Sequence, residues 1–149
     1  MKAKILVILL AAVMAASAVY LPVNGEEHPY LDNRYFGASC LYEEGAEAYE
    51  DDLIEVFGAP EGEVEDLMEE DMFYALMEMN LYRSEGDYGA FNTAFVEFMS
   101  AFNQLQGMWF SYGVQHYLGE GDLSELFSDF LGIQDDIRDC RFGGNHVDT

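Results

Sequence analysis

Positive charge is almost missing from this sequence. The two lysines, Lys2 and Lys4, lie at the extreme N-terminus, and the six basic residues in total face 29 aspartates and glutamates. The formal net charge is −23. A chain this acidic repels nucleic acid and anionic lipid, and it attracts polycations or metal ions. The composition therefore excludes a nucleic-acid-binding or membrane-binding protein and points to a cationic partner.

Motifs for catalysis and cofactor binding are also missing. The sequence contains no GxSxG, HExxH, CxxC or glycine-rich phosphate-binding pattern. The three histidines, His28, His116 and His146, are scattered along the chain. A partly buried structural role explains His116 better than a catalytic role. We therefore predict a protein that is not an enzyme and that has no catalytic residue, cofactor or metal site.

The first 18 residues have the three parts of a secretory signal peptide. A cationic start containing Lys2 and Lys4 precedes an apolar run at residues 5–13, and Ala16-Ser17-Ala18 supplies the small residues of a cleavage site. The apolar run is short for a membrane anchor, and Pro22 follows soon after it. We predict cleavage after Ala18 and a product that is secreted or stored in a secretory granule. Losing both lysines would take its net charge to −25.

Only two cysteines occur, and they bracket most of the predicted domain. Because the secretory pathway is oxidising, we expect a disulfide between Cys40 and Cys140. The chain-entropy treatment gives about 4.7 kcal/mol for closing a loop of about 100 residues. Metal ligation by these two thiols is a weaker alternative, because neither has a CxxC or histidine partner nearby. An intermolecular disulfide remains open.

The hydrophobic pattern predicts an all-α, single-domain bundle of four to five amphipathic helices with one disulfide. Residues 19–38 contain proline and glycine without a helical period, which predicts an extended N-terminal arm. Residues 39–142 carry apolar side chains at spacings of three and four and form the predicted bundle. Gly107 could interrupt the third helix, and Gly132 is expected to end the next. Residues 143–149 are predicted to be a frayed tail.

The acidic residues are unevenly distributed. Fourteen of the 29 lie between residues 43 and 71, whereas residues 88–118 contain only Glu97. The third helix is therefore expected at the centre of the bundle, with the first two helices presenting acidic outer faces. We assign partner binding to thirteen carboxylates of these two helices: Glu43, Glu44, Glu47, Glu50, Asp51, Asp52, Glu61, Glu63, Glu65, Asp66, Glu69, Glu70 and Asp71.

The electrostatic self-energy of such a chain is large. A charge of −25 on a sphere of roughly 18 Å radius has a self-energy of about 70 kcal/mol in salt-free water. Screening at physiological ionic strength reduces it to about 20 kcal/mol. The unfolded chain is repelled as well, so only part of this energy opposes folding, but that part rivals a typical net stability of about 5–15 kcal/mol. We therefore expect protons, divalent ions or a cationic protein to neutralise the surface.

Three segments resemble the later helices of gastropod sperm lysins and their acrosomal relatives. They are residues 72–88, ending in Gly-Asp-Tyr, the run Met-Trp-Phe-Ser-Tyr at 108–112, and residues 118–133. The resemblance covers about half of the chain and implies a secreted, aromatic-rich helical bundle. Lysins are strongly basic, and here Cys40 and Cys140 are additional, so the envelope-dissolving activity is not implied and no functional residue is transferred. The resemblance does imply an acidic acrosomal protein stored beside a basic lysin.

The leading hypothesis is a secreted or granule-stored acidic helical protein that binds a basic protein electrostatically. The resemblance implies that it does so in the sperm acrosome, as a protein of fertilisation. One alternative is a carrier of a small hydrophobic ligand, with a closed apolar cavity among Phe95, Phe98, Trp109 and Phe127. Another is an acidic matrix protein that handles calcium. The oligomeric state stays open.

Overall fold

Four helices and no strand make up residues 29–147, the part of the chain that the computed structural model describes. The all-α prediction is confirmed over this range. The predicted signal peptide, residues 19–28 of the predicted arm and residues 148–149 lie outside the described residues.

The helices follow one another with short connections. Helix α1 spans residues 29–56, α2 spans residues 61–85, α3 spans Tyr88–Glu120 and α4 spans Ser124–Val147. Glycines with positive φ stand at each of the three connections, Gly58, Gly86 and Gly121. Glycine adopts the left-handed conformation at a helix end with less strain than residues that carry a side chain, so these three glycines favour the turns between the helices.

The two acidic helices contain π-helical turns. In α1 these are Leu41–Ala46 and Asp52–Val56, and in α2 the turn is Asp66–Phe73. The wider turn brings neighbouring residues inward together, as with Gly45 and Ala46, which are both buried. A methyl group on Gly45 would lie 2.9 Å from the Cδ1 atom of Ile137 on α4. A residue without a side chain is therefore needed where α1 meets α4.

Helix α3 is the centre of the bundle, and one of its faces packs against the other three helices. Its largest fully buried side chains are Phe91, Phe98, Leu105 and Trp109. The indole of Trp109 is fully buried, with its ring centroid 5.2 Å from that of Tyr49 on α1 and 6.2 Å from that of Phe130 on α4. This arrangement agrees with the near absence of charge from residues 88–118.

Two long-range links close the bundle. The predicted disulfide is confirmed: Cys40 and Cys140 are bonded, with 5.7 Å between their Cα atoms and 100 residues between them. It joins the middle of α1 to the C-terminal part of α4. The guanidinium of Arg83, near the end of α2, donates a hydrogen bond of 3.0 Å to Asp32, in the first turn of α1.

The chain is already helical at residue 29, where the sequence predicts an extended arm. Pro29 is the first residue of α1, a position at which proline costs no helical hydrogen bond. Leu31 and Ala38 are buried and Tyr35 is partly buried. Their spacing of four and three is a helical period that the flanking proline and Gly37 obscure. The arm prediction is therefore wrong for residues 29–38.

Two expected interruptions are also absent from the described helices. Helix α3 passes through Gly107 without a break, and α4 passes through Gly132 and continues to Val147, so residues 143–147 are helical rather than frayed. Glycine inside a helix costs roughly 0.5–1 kcal/mol relative to alanine. Beyond Gly132, the burial of Ile133 and Ile137 outweighs that cost.

Candidate partner-binding surface

The predicted partner-binding carboxylates separate into exposed and covered groups. Nine of the thirteen side chains are exposed: Glu43, Glu44, Glu47, Asp51, Glu61, Glu63, Asp66, Glu70 and Asp71. The other four are fully or partly covered: Glu50, Asp52, Glu65 and Glu69. A partner approaching the folded protein therefore meets a smaller set of carboxylates than the sequence indicates.

On α1 the exposed carboxylates form a stripe along the outer face. Glu43, Glu47, Asp51 and Glu55 recur at every fourth residue, and all four are exposed. Glu55 was not among the predicted binding residues, although its spacing continues the stripe. The stripe is a linear array of negative charge along the outside of α1.

An acidic groove lies between α2 and α3. Glu70, Asp71 and Glu78 of α2 face Glu97 of α3 across a groove of about 420 Å³. Its remaining lining is small, aromatic or polar: Tyr74, Ala75, Val96, Ser100, Ala101 and Gln104. Four carboxylates therefore converge on one concave surface, which we call the acidic groove.

The acidic groove has the chemistry that suits a lysine or arginine side chain. Such side chains have an apolar stem and a charged head. Val96 is 65% exposed and Tyr74 is 43% exposed at this groove, so both offer apolar contact surface. An aromatic ring also attracts a cation placed over its face, by about 0.5–1 kcal/mol at exposed sites. The carboxylates around the rim would receive the charged head.

Two members of the acidic groove were missed from the sequence. Glu78 lies four residues after Tyr74 and eight after Glu70, a spacing that places all three on one helix face and could have been read from the sequence. Glu97 is the single carboxylate in residues 88–118. Its position opposite α2 depends on how the helices pair, which no local pattern reveals.

Glu50 and Glu69 lie at the interface between α1 and α2, where Glu50 is buried and Glu69 is partly covered. The Glu50 side chain is 4% exposed. The rings of Tyr42 and Phe73 meet in the same interface, with centroids 5.5 Å apart. Burial is the main cause of the raised pKa of the Tyr42 hydroxyl, and the charges of Glu47, Glu50 and Glu69 add to it. Both carboxylates thus raise the local negative potential, and the buried Glu50 is not accessible to a partner.

Asp52 also forms a hydrogen bond within the protein. Its Oδ2 atom accepts a hydrogen bond of 2.9 Å from the indole nitrogen of Trp109. Burial raises the pKa of the Asp52 carboxyl, the Trp109 hydrogen bond lowers it, and the neighbouring charges of Asp129, Asp51 and Glu55 raise it further. The net shift is upward, so this carboxyl takes up a proton more readily than an exposed aspartate.

A second, partly buried polar contact lies nearby, between α3 and α4. The hydroxyl of Tyr117 donates a hydrogen bond of 3.1 Å to Asp129. Burial, followed by this hydrogen bond and the Asp129 charge, raises the pKa of Tyr117 to about 12. The tyrosine therefore stays neutral and keeps donating to Asp129 throughout the physiological range.

His116 lies among aromatic rings. Its ring centroid is 5.3 Å from that of Phe57 and 5.0 Å from that of Tyr117, which is a packing environment. Within residues 29–147 no group of three or more histidine, cysteine or acidic side chains is arranged to hold a metal ion. Over the same residues, no helix combines the length and the apolarity needed to cross a bilayer.

The four side chains that were expected to line a closed ligand cavity have different environments. Phe98 and Trp109 are fully buried in the core, whereas Phe127 is 59% exposed on α4. Phe95 is partly buried at the edge of the core. The structure thus does not bring these four rings together around one enclosed space.

Comparison with known proteins gave no match to a protein-family model, a curated protein or a solved structure.

Proposed function

We propose that the protein is a secreted or granule-stored, non-enzymatic polyanion that binds a lysine- or arginine-rich protein. Binding centres on the acidic groove and extends over the exposed carboxylates of α1 and α2. The observation that carries this proposal is the convergence of Glu70, Asp71, Glu78 and Glu97 on one groove of about 420 Å³. The resemblance to lysin-like acrosomal proteins would make the partner a basic protein of the same sperm granule.

The charge balance gives the binding its driving force. Each basic side chain that enters the acidic groove lowers the self-repulsion of the surface, whose net charge is −23 before any loss of the leader. Charge complementarity of this kind accelerates association and selects partners by sign more than by shape. The interaction is therefore fast, multivalent and weakened by salt.

The test compares two fourfold variants of equal charge. The groove variant carries Glu70→Gln, Asp71→Asn, Glu78→Gln and Glu97→Gln. The control variant carries Glu125→Gln, Asp135→Asn, Asp136→Asn and Asp139→Asn, which are all exposed residues of α4 and outside the groove lining. Both variants lose four negative charges, so any difference between their affinities for the partner is due to the position of the removed charges.

Each variant is titrated by calorimetry with a lysine-rich protein. We expect the groove variant to bind about tenfold or more weakly than the control variant, a difference of about 1.4 kcal/mol. Circular dichroism checks that both variants keep their helical content. Equal affinities of the two variants would show that only the total charge matters, and they would overturn the assignment to the acidic groove.

A further inference from the structure

A second groove has the opposite charge character. It lies where α1, α3 and the end of α4 meet, and its volume is about 320 Å³. Two arginines line it, Arg34 and Arg141, and none of the described residues around it carries a carboxylate. The larger apolar and aromatic side chains of its lining are those of Tyr30, Leu41, Phe95 and Met99. We call it the arginine groove.

The second arginine of the groove, Arg141, lies beside α1 at Gly37. A methyl group on Gly37 would lie 3.6 Å from the Nε atom of Arg141, so the guanidinium rests against the α1 backbone. Arg34 precedes Gly37 by three residues, which places the two positions on neighbouring turns of the same face. The groove therefore collects two cationic groups that come from opposite ends of the described chain.

The guanidinium of Arg34 is held by rings. Its Cζ atom lies 5.2 Å from the ring centroid of Tyr30 and 5.1 Å from that of Phe95. Arg83 and Arg138 are instead bonded to carboxylates, those of Asp32 and Asp135. The rings fix the position of the Arg34 guanidinium. Its N–H groups point outward in the guanidinium plane and can still bind an acceptor there.

We propose that the arginine groove binds a small amphipathic monocarboxylate, a carboxylate on an apolar chain. The guanidinium of Arg34 receives the carboxylate, and Phe95, Met99 and Leu41 contact the apolar chain. The volume of about 320 Å³ is at the lower end of the range for small-ligand pockets, about 300–1,000 Å³. A single carboxylate matches the cationic end, and the apolar remainder matches the rest of the lining.

Salt affects this site in the opposite direction from the acidic groove. The distant carboxylates repel an incoming anion, and salt screens distant charges more than a pair in direct contact. Raising the salt from about 20 to about 150 mM therefore strengthens binding of the carboxylate, whereas it weakens binding of a basic protein. The two proposals are independent, and either can fail alone.

The test uses three probes on the folded, disulfide-bonded protein: decanoate, its neutral counterpart 1-decanol, and acetate. We expect decanoate to bind with a Kd below about 1 mM, and decanol and acetate to bind about tenfold or more weakly. Each methylene removed from decanoate lowers the affinity about two- to fourfold. The NMR signal of the Met99 methyl group reports whether binding occurs at the groove.

Two arginine variants separate this groove from general charge. Arg34→Gln is expected to weaken decanoate binding about tenfold, and Arg138→Gln, which removes the same charge from an exposed arginine of α4, is expected to leave it unchanged. Equal binding of decanol and decanoate would overturn the proposal. So would equal loss in the two variants, or saturable decanoate binding that leaves the Met99 methyl signal unmoved.

Discussion

The Asp52–Trp109 contact places a carboxylate and the indole of Trp109, the sole tryptophan, at one point of the core. The indole N–H donates to Asp52 across 2.9 Å, and burial raises the pKa of the carboxyl. A raised pKa means that the folded protein binds the proton more tightly than the unfolded chain does. The resulting stabilisation is fully present below the ordinary aspartate pKa of 3.8 and is lost as the pH rises through the raised value. At neutral pH the ionised Asp52 therefore lowers the stability of the fold.

Asp52→Asn removes this charge and keeps an amide oxygen that can accept from Trp109. We expect the variant to be more stable than the wild type at about pH 7.5, by a few tenths of a kcal/mol, because the site is partly open to solvent. The difference shrinks towards pH 4, where the wild-type carboxyl becomes protonated. Thermal unfolding followed by Trp109 fluorescence measures both effects.

Asp136→Asn is the control, because this aspartate of α4 is exposed and is not among the charges that shift the pKa of Asp52. It removes one negative charge elsewhere, so it should change the melting temperature less and leave the shape of the pH dependence as in the wild type. Identical pH profiles for the two variants, or an Asp52→Asn protein that is less stable at every pH, would contradict this account of the partly buried carboxyl.

The covered carboxylates of α1 show how far the exposure of a single side chain can be predicted from the sequence. Helical periodicity identifies the centre of the apolar face on α1, where Tyr49 and Leu53 are fully buried. Glu50 and Asp52 lie on the flanks of that face. Whether a flank is exposed depends on which neighbouring helix covers it, and this is a tertiary property. The outward stripe at Glu43 and Glu47 was predictable, but the burial of Glu50 was not.

At the scale of elements, the approach of α4 to α3 depends on Gly113. A methyl group there would lie 2.5 Å from the Cδ1 atom of Leu126 and 3.2 Å from the Cε2 atom of Phe57. Leu126 is 1% exposed, so its methyl group has little room to move. The absence of a side chain at this position allows α3 to contact α4 and Phe57, the residue that follows α1.

Gly113→Ala should therefore overpack this contact and lower the free energy of unfolding by about 1–3 kcal/mol. Gly107→Ala is the control on the same helix, since no atom lies within 4 Å of its added methyl group. Alanine is the better helix former, so this variant should gain about 0.5–1 kcal/mol. Urea unfolding measures both changes. A destabilised Gly107→Ala protein, or a neutral Gly113→Ala, would contradict the packing described.

The ends of the helices also depend partly on local sequence and partly on tertiary packing. The apolar period and the capping residue Asp87, whose side chain accepts from the backbone N–H of Ala90, agree with the start of α3. Pro29 and Gly132 suggest breaks that the structure does not have. Burial of Leu31 and Ile137 against the rest of the bundle holds these segments helical, and a local reading of proline and glycine cannot include that energy.

At the scale of the whole molecule, the fold must be stable against the repulsion between its many carboxylates, because the sequence has only six lysines and arginines. The Cys40–Cys140 disulfide closes a separation of 100 residues and restricts the unfolded chain by about 4.7 kcal/mol on the chain-entropy treatment. This offsets some of the self-repulsion that opposes folding. The disulfide stabilises the molecule without neutralising it, so the charge remains available to a partner.

The salt dependence of partner binding tests the central claim most directly. The wild-type protein is titrated with a lysine-rich protein at about 20 mM and about 150 mM salt, and the two affinities are compared. The account predicts that the affinity falls by about tenfold or more at the higher salt, because the attraction comes from screened charges. An affinity that does not change between the two salt concentrations would contradict it.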